Sequence, residues 1–357
     1  MTLLRWLVLL LLAFAAGFGA RETLLRTATP SVVVAPSPTA TATLAPTATL
    51  TPSATPLPQA TEPPAPTPRK PIEKVTKMGV GVYARGGGHI IDMLYQAAPT
   101  VILLQDPDAA LAKDVRYWFP KAFIIGRIFV ANKDQVYQDD PARRGADFAD
   151  RVAAVAVPLK GVVDAWMSYN EAVAMSSGAA ALRAYGAFEL AFVRRLQGTH
   201  GIPAVVGNFG VGAIDEASHV TYFADAIREA RYLGVHAYAS RESKSMMDDP
   251  RGSEWFALRY RKAHQAIVAA GIKRNTDRYI VLTESGLWDG WRDVVSEERM
   301  ANDFIWLTNE LERDAYVIGH AAFGIFADDD SQWRRFELAA TSILDRLGAY
   351  WPSGRGS

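Results

Sequence analysis

Eight short apolar runs, separated by longer amphipathic runs, occupy the chain from about Glu73 to Tyr350. The apolar runs are predicted strands, and they are Met78–Tyr83, Thr100–Gln105, Ala122–Phe129, Val162–Trp166, Ala204–Asn208, Gly234–Tyr238, Tyr279–Thr283 and Val317–Ile325. The predicted helices between or after them include Asp108–Phe119, Gly145–Val157, Ala180–Gln197, Tyr222–Tyr232, Trp255–Ala270, Glu297–Glu312 and Gln332–Leu347. This alternation favours a parallel sheet, because parallel neighbours need long crossover connections.

The number of strand–helix units distinguishes a closed barrel from an open parallel sheet. The globular region has about 275 residues, close to the ~250 typical of an eight-stranded β/α barrel. An open doubly wound sheet would usually have fewer units and a glycine-rich phosphate loop. Gly86-Gly87-Gly88 follows the first predicted strand but lacks the G-x-G-x-x-G spacing, so we interpret it as a loop. The sequence therefore predicts an α/β protein with a (β/α)8 TIM-barrel fold.

Two segments of different composition precede the predicted barrel. In residues 1–26, Arg5 is followed by the uncharged apolar run Trp6 to Ala20, which is shorter than the ~20 residues that span a bilayer comfortably. This pattern predicts a signal peptide or a retained membrane anchor. Residues 27–72 are rich in Pro, Thr, Ala and Ser and predict a disordered linker, either O-glycosylated or bare.

These segments set the expected organisation of the chain. We expect the barrel domain at residues 73–351, a flexible tail at 352–357, and a protein that is secreted or anchored at the cell surface. The Asp328-Asp329-Asp330 run after the last predicted strand is interpreted as a solvated turn, with a sugar or Ca²⁺ contact as the alternative.

The overall composition excludes several classes of function. The 38 basic and 38 acidic side chains balance to zero net charge, whereas a nucleic-acid-binding protein usually has a basic excess. The chain has no cysteine, which excludes disulfides, thiol catalysis and a Cys-ligated zinc site. The six histidines form no H-E-x-x-H arrangement, so a zinc protease is not expected. We predict no metal and no cofactor.

Two predicted strands lead directly into glutamates. Trp166-Met167-Ser168-Tyr169-Asn170-Glu171 and Tyr279-Ile280-Val281-Leu282-Thr283-Glu284 are the two stretches. The carboxyl ends of barrel strands are where active sites lie, so Glu171 and Glu284 are predicted to form a pair at the barrel mouth. Hydrolysis of a glycosidic bond requires such a pair, one group as acid and base and the other as nucleophile. Asn170-Glu171 could instead simply cap the next helix.

Strand periodicity predicts which other polar side chains reach the mouth. His236 and Tyr238 are two residues apart, so both point to one face of their strand. By the same rule, Glu284 shares its face with Leu282 and Ile280. Arg127 shares its face with Ile125 and Phe129 on the third strand. Polar groups inside an apolar barrel are costly unless they satisfy one another. A hydrogen-bonded network at the rim is therefore expected.

These motifs resemble those of clan A glycoside hydrolases. The resemblance rests on Asn170-Glu171 after the fourth strand, His236-Ala237-Tyr238 on the sixth and Glu284 after the seventh. It implies that Glu171 is the general acid and base and that Glu284 is the nucleophile. It further implies that Asn170 binds the sugar 2-hydroxyl, that Tyr238 hydrogen-bonds the nucleophile, and that His236 and Arg127 are supporting residues.

The sequence departs from this family pattern at two positions. Ala172 follows the Asn-Glu pair, where clan members often have proline. Phe323-Gly324-Ile325-Phe326 ends the eighth predicted strand, where many members carry tryptophan. Neither departure removes a catalytic group.

The carboxylate pair also predicts a mechanism. In a retaining enzyme the two carboxyl groups are about 5–5.5 Å apart, and two carboxylates that close cannot both ionise freely. We therefore expect the pKa of Glu171 to be raised, so that it is protonated as the acid, and we expect retention of configuration.

Other aromatic and polar residues are candidates for the rim. Of Trp288 and Trp291, which follow the predicted nucleophile, we expect one to stack on sugar and the other to pack beneath its loop. Tyr83 and Asn208 end predicted strands and are further rim candidates. Residues expected to be structural are Trp166, Trp333 and His320, and His89 is a weak candidate for reaching the substrate.

The predicted function is a retaining glycoside hydrolase that acts on an extracellular polysaccharide or glycan, with carbohydrate as its partner. The alternative is a catalytically inactive carbohydrate-binding barrel displayed at the cell surface. A metal-dependent barrel hydrolase is a third hypothesis, but only His236 and His89 are placed to supply histidine ligands.

Overall fold

A computed structural model describes residues 69–84, 88–274, 276–326 and 333–351. The predicted signal or anchor segment, residues 27–68 of the predicted linker, the Asp328-Asp329-Asp330 run and the predicted tail lie outside these ranges. Within them, no helix has both the length and the apolar character needed to cross a bilayer.

Eight parallel strands form a closed barrel in which each strand pairs with its neighbours in chain order. The strands are β1 Gly79–Val82, β2 Val101–Gln105, β3 Phe123–Arg127, β4 Ala165–Met167, β5 Ala204–Phe209, β6 Tyr232–Tyr238, β7 Ile280–Gly286 and β8 Val317–Ile325. The last strand closes the barrel by pairing with the first. The predicted (β/α)8 architecture is confirmed.

Helices connect the strands on the outside of the barrel. Those that the structure describes are α1 Gly88–Ala97, α2 Ala109–Trp118, α3 Pro141–Ala156, α4 Ala179–Val193, α5 Glu216–Tyr222, α6 Ala224–Glu229, α7 Tyr260–Ala269, α8 Glu297–Glu312 and α9 Ser342–Ala349. The predicted helix Glu297–Glu312 matches α8 at both ends. Its Ser296 side chain accepts from Arg299 N, as a helix N-cap does.

Three predicted helices are wrong in part. The helix expected at Trp255–Ala270 begins only at Tyr260. The single helix expected at Tyr222–Tyr232 is two short helices that meet at Phe223, and Tyr232 already begins β6. The helix expected at Gln332–Leu347 begins only at Ser342. Before it, Leu338 N donates to Gly324 O, and this hydrogen bond to β8 draws the segment out of a helical path.

Apolar side chains fill two separate layers. Inside the barrel lies a small cluster made of Val101, Leu103, Ile125, Ala165, Met167, Val205, Val281 and Ala321. The larger cluster lies between the barrel and the helices, and it includes Ile280 and Leu282. Thus Val281 points inwards while Ile280 and Leu282 point outwards, as strand periodicity requires.

A bulge in β7 changes the face on which Glu284 lies. Val235 pairs with Leu282, but the next pair is His236 with Glu284, so Thr283 is an extra residue. Such a bulge reverses the alternation beyond it. The expectation that Glu284 shares a face with Leu282 is therefore wrong. Leu282 faces the helices, and Glu284 lies beside the inward-facing His236.

Candidate active site

A pocket of about 550 Å³ opens at the carboxyl end of the barrel strands. Its lining residues are Tyr83, Gln105, Arg127, Phe129, Ala131, Asn132, Asn170, Glu171, Tyr238, Glu284, Trp288, Phe323, Phe326, Trp333 and Phe336. They come from strand ends and from the loops that follow them. The pocket thus brings together all the predicted site residues except His236, which is buried in contact with both glutamates.

Glu284 is held at the floor of this pocket by two hydrogen bonds. Arg127 Nη1 donates to Glu284 Oε1 at 2.8 Å, and the Tyr238 hydroxyl donates to Glu284 Oε2 at 3.0 Å. The side chain of Glu284 is only 8% exposed. Hydrogen bonds to a charged carboxylate are the strong ones, so both oxygens of Glu284 have fixed directions.

Glu171 lies at the pocket wall on a left-handed backbone. Its φ is +50°, which is uncommon for a residue with a side chain, and its side chain is 41% exposed. A Cβ on Gly210 would lie 2.6 Å from Glu171 Oε1. Glycine at position 210 therefore leaves the space that the carboxylate occupies.

His236 lies between the two glutamates. Its Nδ1 is 2.9 Å from Glu171 Oε1 and 3.6 Å from Glu284 Oε2. Because both distances start at the same nitrogen, these carboxyl oxygens cannot be further apart than the sum of 2.9 and 3.6 Å, about 6.5 Å. Neither ring nitrogen has an aligned hydrogen bond within the described residues, so the attraction is mainly electrostatic.

The charged groups around Glu171 shift its pKa in the direction opposite to the one expected. Burial raises the pKa of Glu171, but the nearby His236 and Arg127 lower it below the ordinary value. Burial lowers the pKa of His236, yet Glu284 and Glu171 raise it above the ordinary value. The expectation of a raised Glu171 pKa is therefore wrong for the ligand-free site.

Asn170 lines the pocket next to Glu171. It is 9% exposed, and its carbonyl oxygen accepts from Gln135 Nε2 at 2.8 Å. Its side-chain oxygen has no hydrogen-bond partner in the part of the chain that the structure describes. Asn170 therefore has a fixed backbone beside the pocket and a buried side-chain oxygen.

The two tryptophans after β7 have different environments. Trp288 lines the pocket and is 42% exposed. Trp291 is buried, and its Nε1 donates to Phe336 O at 3.2 Å. The structure thus places one ring at the pocket and one beneath the loop. Trp333, expected in the core, instead lines the pocket and stacks on Phe326 with 6.1 Å between ring centroids.

Tyr83 lines the pocket as expected, but Asn208 and His89 do not, and His320 is structural, as predicted. Asn208 is fully buried beneath the rim, so its prediction as a rim residue is wrong. His320 faces α8, where it contacts Ser285 Oγ and Thr308 Oγ1, and burial lowers its pKa to about 3. It is therefore a neutral structural histidine. His89 lies exposed on α1.

Sequence reasoning missed several pocket residues. Gln105 is the last residue of β2, and the rule that strand ends form the rim would have found it. Phe129 ends the predicted strand Ala122–Phe129, so the same rule would have found it, although the observed β3 ends at Arg127. Asn132 and Phe336 lie on connections after strands, where no periodic pattern marks them. Gly210 carries no side-chain signal at all.

Within the described ranges, no group of three or more His, Asp or Glu side chains is arranged to hold a metal ion. The acidic and basic groups of the pocket instead pair with one another. The site is therefore suited to proton transfer and to attack by a carboxylate.

Comparison with known proteins gives a fold and no sequence family. No protein-family model matches the chain, and no curated protein matches it. A family 39 glycoside hydrolase from Bacteroides cellulosilyticus WH2 superimposes with a TM-score of 0.50 at 12% identity, covering 73% of this chain and 60% of that one. A glucosidase from Croceicoccus marinus also gives 0.50 at 12% identity, covering 78% and 68%.

At this identity the likeness shows the barrel fold alone. The chain spans only about 60% of the length of the first of these two proteins. The two solved structures therefore support the architecture of this chain, and its chemistry has to be argued from its own residues.

Proposed function

We propose that the chain is a retaining glycoside hydrolase that cleaves O-glycosidic bonds of an extracellular polysaccharide or glycan. The observation that carries the proposal is the carboxyl pair, whose oxygens flank His236 within about 6.5 Å of each other. Retaining enzymes have carboxyl separations of about 5–5.5 Å, whereas inverting enzymes need about 6.5–9.5 Å to admit a water molecule. The glycosidase folds described above are consistent with this reading.

In the first step, Glu284 is the nucleophile. One of its carboxylate oxygens attacks the anomeric carbon while the bond from that carbon to the leaving oxygen breaks. Arg127 and Tyr238 hold the carboxylate in place, so little reorganisation is needed at the moment of attack. The leaving oxygen takes its proton from Glu171, which becomes a carboxylate.

In the second step, Glu171 acts as the base. It takes a proton from a water molecule whose oxygen attacks the anomeric carbon, and the ester bond to Glu284 breaks. Two inversions give net retention of configuration. Glu171 must receive a proton from His236 before the first step, because in the free site its own pKa is lowered.

The remaining pocket residues would bind the substrate. Asn170, which lines the pocket beside Glu171, would bind the sugar 2-hydroxyl, and the exposed ring of Trp288 is suited to a sugar face. The composition of residues 1–72 supports export or surface anchoring.

The proposal is tested with a panel of aryl glycosides and polysaccharides. We expect turnover of at least one substrate, a product of retained configuration in an NMR time course, and a loss of at least about 1,000-fold in kcat for Glu284→Ala. A 2-deoxy-2-fluoro glycoside should label Glu284, as read by mass spectrometry of peptides. The control is Glu242→Gln, a 65% exposed carboxylate after β6, which should retain full activity.

Three outcomes would contradict the proposal. An inverted product would exclude Glu284 as nucleophile. Sugar binding without turnover on any substrate would favour the inactive binding protein. Activity that disappears in a chelator and returns with a divalent metal would favour a metal-dependent hydrolase.

A further inference from the structure

Glu189 is a buried carboxyl group that the proposed mechanism does not use. It lies on α4 and is fully buried. Its Oε1 accepts from Ser168 Oγ at 2.8 Å and from Gly207 N at 3.0 Å, and burial raises its pKa to about 7. It has no ion-pair partner among the described residues. Burying a carboxyl group without a cationic partner is costly. The two hydrogen bonds that Glu189 accepts offset part of this cost.

The two groups that Glu189 accepts from lie at the base of the active site. Ser168 directly follows β4, and Gly207 precedes a bulge in β5 at which Asn208 is the extra residue. Gly207 has a φ of +86° and Asn208 has a φ of +46°. A left-handed backbone costs glycine little, but it is unfavourable for Asn208 unless the surroundings fix it. The carboxyl of Glu189 accepts from the amide of the preceding Gly207.

Asn208 links the residues that are hydrogen-bonded to Glu189 with the segment that contains Glu171. Its Nδ2 donates to Ser168 Oγ at 3.2 Å and to Tyr169 O at 3.3 Å. Its backbone oxygen accepts from Glu171 N at 3.1 Å. The left-handed backbone of Glu171 is thus bonded directly to the bulge that Glu189 supports.

We propose that Glu189 is a positioning residue that fixes the direction of the Glu171 carboxyl through Ser168, Gly207 and Asn208. This inference rests on the proposed function, because it concerns the group that protonates the leaving oxygen. An apolar residue at position 189 would leave the Ser168 hydroxyl and the Gly207 amide buried without acceptors. The β5 bulge would then relax and carry Glu171 with it.

The leaving group of the substrate reports where Glu171 points. A 2,4-dinitrophenolate leaves without protonation, whereas an unsubstituted phenolate needs the acid, whose contribution is about 100- to 10,000-fold. Misplacing Glu171 therefore lowers kcat/KM for the phenyl glycoside and spares the dinitrophenyl glycoside. A general loss of folded protein lowers both equally.

The experiment compares kcat/KM for these two glycosides of the preferred sugar in Glu189→Leu and Glu189→Gln. We expect Glu189→Leu to lower the phenyl value at least about tenfold and the dinitrophenyl value less than about threefold. We expect Glu189→Gln, whose side-chain oxygen accepts the same two bonds, to restore most of the phenyl value. Phe192→Leu, another buried change on α4, should show no dependence on the leaving group.

If Glu189→Leu does not fold, Ser168→Ala replaces it, because the lost hydroxyl links Glu189 to Asn208. Equal losses on both substrates, in either variant, would overturn the positioning role and leave the proposed function intact. Failure of the proposed function has a different signature, since Glu171→Ala itself would then show no dependence on the leaving group.

Discussion

At the scale of single residues, the site pairs the carboxyl groups of Glu171 and Glu284 with the basic side chains of His236 and Arg127. Glu284 accepts from Arg127, and Glu171 lies 2.9 Å from His236 Nδ1. Pairing of this kind offsets the cost of burying charge. It also means that removing one partner changes the protonation of the others.

Tyr238→Phe tests the hydrogen bond to Glu284. The lost hydroxyl donates at 3.0 Å to a charged oxygen, and such a bond contributes about 1.5–3 kcal/mol. We expect kcat/KM to fall about 10- to 100-fold. Tyr279→Phe is the control, because its hydroxyl contacts His264 at the other end of β7. Similar activity losses in both variants would contradict the role of Tyr238.

His236→Gln tests where the catalytic proton resides. In the proposed mechanism Glu171 takes its proton from His236, whose pKa Glu284 and Glu171 raise above the ordinary value. Without His236 only Glu171 can hold that proton, so the pair loses proton affinity. We expect the basic limb of the kcat/KM profile to move to lower pH. An unchanged basic limb would show that another group sets it.

At the scale of elements, close backbone approaches decide how helices and strands fit together. A Cβ at Gly145 on α3 would lie 2.2 Å from the Phe188 carbonyl oxygen of α4. Glycine thus allows the two helices to approach closely there. The predicted ends of these helices came from periodicity, which carries no information on such contacts.

Gly145→Ala tests this approach. Alanine favours the helix by up to about 1 kcal/mol, but overpacking costs about 1–3 kcal/mol. We expect a net decrease in the free energy of unfolding, measured by urea denaturation. Gly198→Ala is the control, since its Cβ meets nothing within 4 Å, and it should be neutral or stabilising. Equal stability of the two variants would mean that the helices can separate at no cost.

At the scale of the whole molecule, the core and the site both lie within residues 69–351. The two apolar clusters run from Met78 to Leu347, and the pocket is lined from Tyr83 to Phe336. The barrel closes through the pairing of β1 with β8, so its stability depends on both ends of this region together.

Removing residues 1–68 tests whether the rest of the chain folds and functions without them. We expect the shortened protein to unfold cooperatively and to retain kcat/KM on small aryl glycosides within about twofold, because every proposed site residue is kept. The measurements are calorimetry and steady-state kinetics. Loss of cooperative unfolding would show that the N-terminal residues contribute to the fold.

The sequence by itself determined the barrel and the charged and hydrogen-bonding residues at the centre of its mouth. Alternating apolar and amphipathic runs are a local property of the chain, and strand ends form the rim in any parallel barrel. These rules sufficed to name Glu171, Glu284, Arg127, His236 and Tyr238.

Only the tertiary structure decided how those residues face one another. Simple alternation predicts that Glu284 lies with Leu282, but the pairing of β7 with β6 makes Thr283 an extra residue and turns Glu284 inwards. The lowered pKa of Glu171 likewise follows from its distance to His236. Bulges and charge pairs depend on neighbours distant in the chain, so no local pattern contains them.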